Sequence, residues 1–189
     1  MSSTESASAN PAEGGVDALT GLELRESFDA ALVRETAFAR RHSVQLTLFL
    51  FELEGIDAVR AAHGPAAVQK VLVEAGRTLK ALVSSEVVLA RLSGEVFGLV
   101  LRGVGVAAAE AEADRLRAGL TAMPLPEGVE AGSVTATFGI AAFHTARAAT
   151  PEVMLHAAEL ALLDARKLGK NRTRVHAEGL PTPAATPPV

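Results

Sequence analysis

Residues 86–101, EVVLARLSGEVFGLVL, constrain the chain most, because they read as two apolar strands joined at Ser93-Gly94. Val87, Leu89 and Arg91 alternate with Val88, Ala90 and Leu92 before the turn. Glu95, Phe97, Leu99 and Leu101 alternate with Val96, Gly98 and Val100 after it. A glycine in a two-residue link between such runs predicts a tight hairpin, since those turns need positive φ. Glu95 is the odd member, an acid beside the turn of an otherwise apolar hairpin. A lone acid at a strand end is ordinarily just solvated. Glu52, at the end of a second apolar run, makes it one of a pair.

That second run, residues 46–53, is nearly continuously apolar, as a central strand covered on both faces must be. Around it the sequence alternates between helical and strand periods. Asp17 is placed to cap a helix over 17–42, with Phe28, Ala31, Leu32, Glu35, Phe38 and Ala39 at helical spacing. Residues 55–63 read as a short helix stopped by Gly64-Pro65. Residues 66–83 read as a longer one, with Val68, Val71, Leu72, Ala75, Leu79 and Leu82 in one stripe. After the hairpin come a helix over 107–122 with Ala113, Leu116 and Leu120 inward, and a strand over 133–143. A helix opened by Thr150-Pro151 and closed by Gly169, then a short strand over 172–176, complete the series. This mixed order predicts an α+β sandwich: a mostly antiparallel five-stranded sheet covered by helices.

Composition removes several function classes. The chain has 189 residues, enough for one domain with a real core, and no cysteine, so disulfides and thiolate chemistry are excluded. Residues 1–16 and 177–189, the latter proline-rich, read as disordered tails around one domain at 17–176. The N-terminus resembles no signal peptide and no run is long enough to span a bilayer, so a cytoplasmic protein without membrane contact is expected. A net charge of −4 gives no drive toward nucleic acid. The basic run Arg166, Lys167, Lys170, Arg172, Arg174 lacks interleaved aromatics, so no nucleic-acid partner is expected. His42, His63, His144, His156 and His176 share no metal-ligand spacing.

Five segments, in order, resemble the GGDEF family of diguanylate cyclases over about residues 16–175. DALTGLELRESF (17–28) resembles the family's D-x-L-T-G-L-x-N-R-x-x-F, with Leu24 in place of Asn. Glu52-Leu53-Glu54 stands at its D-x-D. ARLSGEVF (90–97) stands at A-R-x-G-G-D-E-F. VTATFGIA (134–141) matches V-T-x-S-x-G-I-A, and AELALLDARKLGKNR (158–172) matches A-D-x-A-L-Y-x-A-K-x-x-G-R-N-R.

The resemblance implies a GGDEF/nucleotidyl-cyclase-like fold whose hairpin carries the signature. In the family two domains face each other, each holding one GTP, and Mg²⁺ offsets charge while a 3′-hydroxyl attacks an α-phosphate. It implies Mg²⁺ ligands at Glu52, the Leu53 carbonyl and Glu95, the last also the catalytic acid of an active enzyme. Nucleotide contacts fall at Asp57, Arg60, Gln69, Ser93, Gly94, Arg166 and Lys170.

Here the pattern departs from the family. Arg60 and Gln69 replace the Asn and Asp that accept from guanine. Arginine has no acceptor, and each buried hydrogen bond left unmade costs about 1–3 kcal/mol. Asp57 replaces a phosphate-side lysine, Ile56 a Phe, Ser93 the first signature glycine and Val96 its second acid. The R-x-x-D of the cyclic di-GMP inhibitory site is Ser84-Ser85-Glu86-Val87, and Arg115 aligns with a second arginine of such sites. The sequence reading is therefore a degenerate domain acting in cyclic-di-GMP signalling through a protein partner. Its alternatives are an active cyclase working as a homodimer, and a nucleotide sensor of changed base preference, with Gln69 pairing adenine. No sensor segment is recognisable, so either a partner supplies the input or the chain is part of a longer protein.

Overall fold

The computed structural model describes residues 15–143 and 150–177. The expected tails fall almost wholly outside them, as does His144.

The apolar run becomes β1 (Leu46–Glu54), the centre of a five-stranded sheet ordered β2-β3-β1-β4-β5. β2 (Leu89–Ser93) and β3 (Val96–Arg102) form the expected hairpin, and β4 (Thr135–Phe143) pairs on the other side of β1. These pairings are antiparallel, while β5 (Thr173–Ala177) joins β4 in parallel. The fold is the expected α+β sandwich.

Strand alternation sends β1 into two cores. Phe49, Phe51 and Leu53 join Phe97, Leu99, Phe138 and Ile140 beneath α2 (Ile56–Leu82) and α3 (Val106–Ala122). The Phe51 ring stacks on Phe138 at 4.5 Å and on Phe97 at 5.5 Å between centroids. Leu46, Leu48 and Leu50 pack on the opposite face with residues of α1 (Arg25–His42) and α4 (Pro151–Lys167). Each such fully buried side chain contributes about 1.5–3 kcal/mol over its exposed state.

Four local expectations are corrected. The first helix begins at Arg25, not Asp17, and Leu24 occupies its N-cap position. Asp17 instead closes a turn, accepting from the Thr20 N–H at 2.8 Å and the Thr20 hydroxyl at 2.7 Å. Phe38 is not on the buried stripe of α1. It is 37% exposed, with the Arg102 guanidinium stacked 4.5 Å above its ring. The two helices expected around Gly64-Pro65 run on as one element, α2, kinked where Gly64 takes φ 78°. The hairpin turn lies at Gly94-Glu95, one residue later than Ser93-Gly94, because the register shifts between Arg91 and Ser93 and Ser93 then pairs with Val96. Gly94 carries the positive φ, 42°.

Candidate functional site

The C-terminal end of β1 organises the site. Glu52 faces Val96 on one side and Thr137 on the other, continuing the Leu46-Leu48-Leu50 row beyond the core. The Leu53 N–H donates to the Glu95 carbonyl at 3.0 Å, which fixes the hairpin turn against the same strand end. The shifted turn removes Glu95 from the strand and leaves it beside β1. Glu52 and Glu95 therefore stand at adjacent strand ends, with side chains 27% and 28% exposed.

Each acid has an arginine. Arg60, in the second turn of α2, donates from Nη2 to Glu95 Oε1 at 2.8 Å and from Nη1 to Asp57 Oδ1 at 2.5 Å. Arg166, in the last turn of α4, forms an ion pair with Glu52. The neighbouring Glu54 is also committed, accepting from the Asn171 N–H at 3.0 Å and so holding the turn between α4 and β5. Gln69 and Lys170 are exposed, and neither makes a hydrogen bond or ion pair to Glu52 or Glu95. Ser93 is exposed at the hairpin tip, and the Gly94 carbonyl accepts from Arg91 Nε at 2.8 Å. The structure thus joins Asp57, Arg60 and Glu95 in one cluster and Glu52 and Arg166 in another.

This donor set does not fit a divalent ion as arranged. Magnesium asks for several hard oxygens whose charge is free. Here both carboxylates face guanidinium groups, and no group of three or more acidic or histidine side chains suited to a metal occurs among the described residues.

Sequence reasoning missed what anchors the hairpin. Arg91 Nη1 donates to Asp17 Oδ1 at 3.1 Å and Oδ2 at 3.2 Å, tying the N-terminal turn to the signature loop. Burial pushes the Asp17 carboxyl up, but the Thr20 hydroxyl and N–H and the Arg91 guanidinium outweigh it, so its pKa lies below 3.8. Two charges far apart in sequence, each in a matched motif, were the only available signal.

Ser84, Ser85 and Val87 of the expected inhibitory motif, but not Glu86, line a separate cleft of about 320 Å³. Its walls include Lys80, Ser84, Ser85, Val87 and Leu89, and neither Glu52 nor Glu95. Arg115 is engaged elsewhere: it donates to Glu112 at 2.6 Å and to the Leu82 carbonyl at 2.7 Å. Among the described residues no helix is long and apolar enough to cross a membrane.

Comparison with known proteins agrees with this architecture. The family model for "Diguanylate cyclase, GGDEF domain" matches residues 15–172. The chain is 31% identical over 160 residues to the diguanylate cyclase DgcP of Pseudomonas aeruginosa, covering 84% of this chain and 23% of that protein. It is 26% identical over 161 residues to the probable diguanylate cyclase DgcC of Escherichia coli, covering 85% of this chain and 43% of that one. The chain therefore spans less than half the length of these curated relatives.

The solved GGDEF domain of TpbB from Pseudomonas aeruginosa superposes with a TM-score of 0.77 at 28% identity, over 85% of this chain and 94% of that one. Diguanylate cyclase SiaD from the same species, solved with its activator SiaC, gives 0.76 at 26% identity, over 86% of this chain and 61% of that one. With these matches on a sheet whose β2–β3 hairpin, at one edge, carries the signature positions, the chain belongs to the GGDEF family.

Proposed function

We propose that this GGDEF domain serves cyclic-di-GMP signalling as a degenerate module that does not turn over GTP and acts through contact with another protein. The observation that carries the reading is Arg60. At the position where the family places a guanine acceptor, this chain has a donor-only side chain bound to Asp57 and Glu95. GTP would meet a cation with no acceptor for the guanine edge and an acid already neutralised.

Arg115 and the Ser84–Val87 stretch point the same way, since they offer no arginine–aspartate pair to read cyclic di-GMP. The solved complex of SiaD with SiaC is a family precedent for assembly with a partner protein. An active cyclase is the second reading, favoured by the two carboxylates at adjacent strand ends. It would require the arginines to leave both acids when GTP arrives.

The test is incubation of the purified domain with GTP and Mg²⁺, followed by chromatography for cyclic di-GMP. Titration calorimetry with GTP, ATP and cyclic di-GMP accompanies it. No product and no GTP heat are expected. Product that disappears in Glu95→Ala establishes the cyclase reading instead, and ATP heat lost in that variant establishes a nucleotide sensor.

A further inference from the structure

We infer that Arg60, held in place by Asp57, is the resident cation of this site and excludes divalent metal from Glu95. The inference rests on the functional reading above and gives it a cause. Two departures from the family pattern, Asp57 and Arg60, stand three residues apart on the first turns of α2. On a helix that spacing puts both side chains on one face. The geometry uses it: one guanidinium spans the two carboxylates, with Nη1 on Asp57 at 2.5 Å and Nη2 on Glu95 at 2.8 Å.

A guanidinium cannot lose its charge at any pH the protein tolerates, so it cannot vacate the carboxylate by deprotonating. It leaves only by swinging away, which Asp57, its side chain 97% exposed, opposes weakly and Glu95 more firmly. A lysine at position 57, as the family has, would repel Arg60 instead. The Arg166–Glu52 pair balances the second acid in the same way, so neither carboxylate has free charge to attract a hydrated dication. Arg60 is 46% exposed, so the pair adds little to folding stability. Its consequence is competitive: it occupies the oxygen a metal would need.

The probe is Mn²⁺ alone, without nucleotide. Its binding to the full chain is read by the loss of the free-ion electron paramagnetic resonance signal. Wild type is expected to bind weakly. Arg60→Asn, with Arg60→Gln as a second variant in case the first perturbs folding, is expected to bind at least about tenfold tighter, the scale of one unit charge in a partly exposed site. Arg60→Asn combined with Glu95→Ala is expected to lose that gain.

Equal Mn²⁺ affinity in wild type and both single variants overturns the inference, as does a gain that survives Glu95→Ala. The Mn²⁺ titration contains no nucleotide, so its outcome leaves the functional reading to the GTP assay. GTP turnover by the wild type refutes the functional reading in a separate assay.

Discussion

Removing the Asp17 carboxylate tests whether the N-terminal turn anchors the signature hairpin. Asp17 and Arg91 are 19% and 16% exposed at their side chains, and both charge-assisted bonds of Arg91 to Asp17 are 3.1–3.2 Å. Breaking a fully buried pair by deleting one partner costs about 3–5 kcal/mol. Residual exposure reduces that to about 2–3 kcal/mol here. A domain of this size moves about 2–4 °C in Tm per kcal/mol, so Asp17→Ala is expected to melt about 4–12 °C lower. Asp17→Asn separates the contributions, because its side-chain oxygen still accepts from Thr20 while the charge on Arg91 goes unanswered.

The pH dependence has a definite sign. The folded pKa of Asp17 is lowered, so its contribution is fully present above the unfolded value near 3.8 and is lost as pH falls through the folded value. The gap between wild type and Asp17→Asn, measured by thermal melting from neutral pH downward, should therefore shrink in acid. A double-mutant cycle with Arg91→Leu should return a coupling of at least about 1 kcal/mol. A cycle with no coupling, or a gap that persists unchanged in acid, refutes the anchoring argument.

Further expectations follow from close contacts and caps. Gly139→Ala places a Cβ against the Ala158 carbonyl and 2.6 Å from the Leu162 Cα, both backbone of α4. It should cost about 1–3 kcal/mol or more in a urea titration, as overpacking does where backbone must move. Thr150→Ala removes the hydroxyl that accepts from the Val153 N–H at 3.3 Å at the start of α4, and a loss of about 1 kcal/mol is expected in the same titration. Arg166→Ala leaves Glu52 at a part-buried strand end without its counter-ion. Because Arg166 is 42% exposed, the expected loss is only about 1 kcal/mol, restored in part by Arg166→Lys.

The fold was legible wherever hydrophobic period alone decides structure. A continuous apolar run at 46–53 could only be a strand covered on both faces, and β1 is that strand. The stripe from Val68 to Leu79 could only be one face of a helix. Errors arose where a single residue had two physical uses. Asp17 is a good helix cap and an equally good turn cap, and its partners at Thr20 and Arg91 decided for the turn. The hairpin was expected one residue early because the register shift after Arg91 leaves the alternation of apolar residues almost unchanged. The pairing of Arg60 with Glu95 joins residues 35 apart, and no local pattern encodes it. The family pattern gave Arg60 a place at the nucleotide and no partner.

Glu52 and Glu95 need not be kept for catalysis. Strand register fixes Glu52, the Leu53 N–H holds the Glu95 carbonyl in the adjoining turn, and both side chains are about a quarter exposed. In an active site of this family a metal would balance them. Were the metal simply lost, two adjacent part-buried carboxylates would repel each other, and the strand end would be strained by their charge. Arg60 and Arg166 remove that repulsion, and Asp57 in turn steadies Arg60. Asp57 without Arg60 would add a third negative charge to the cluster and strengthen the pull on a cation. Arg60 without Asp57 would be steered by Glu95 alone. The two substitutions are therefore one device. An acid retained at a signature position here is as well explained by an arginine partner as by a metal. The presence of both acids therefore favours turnover only if the arginines leave them when GTP arrives.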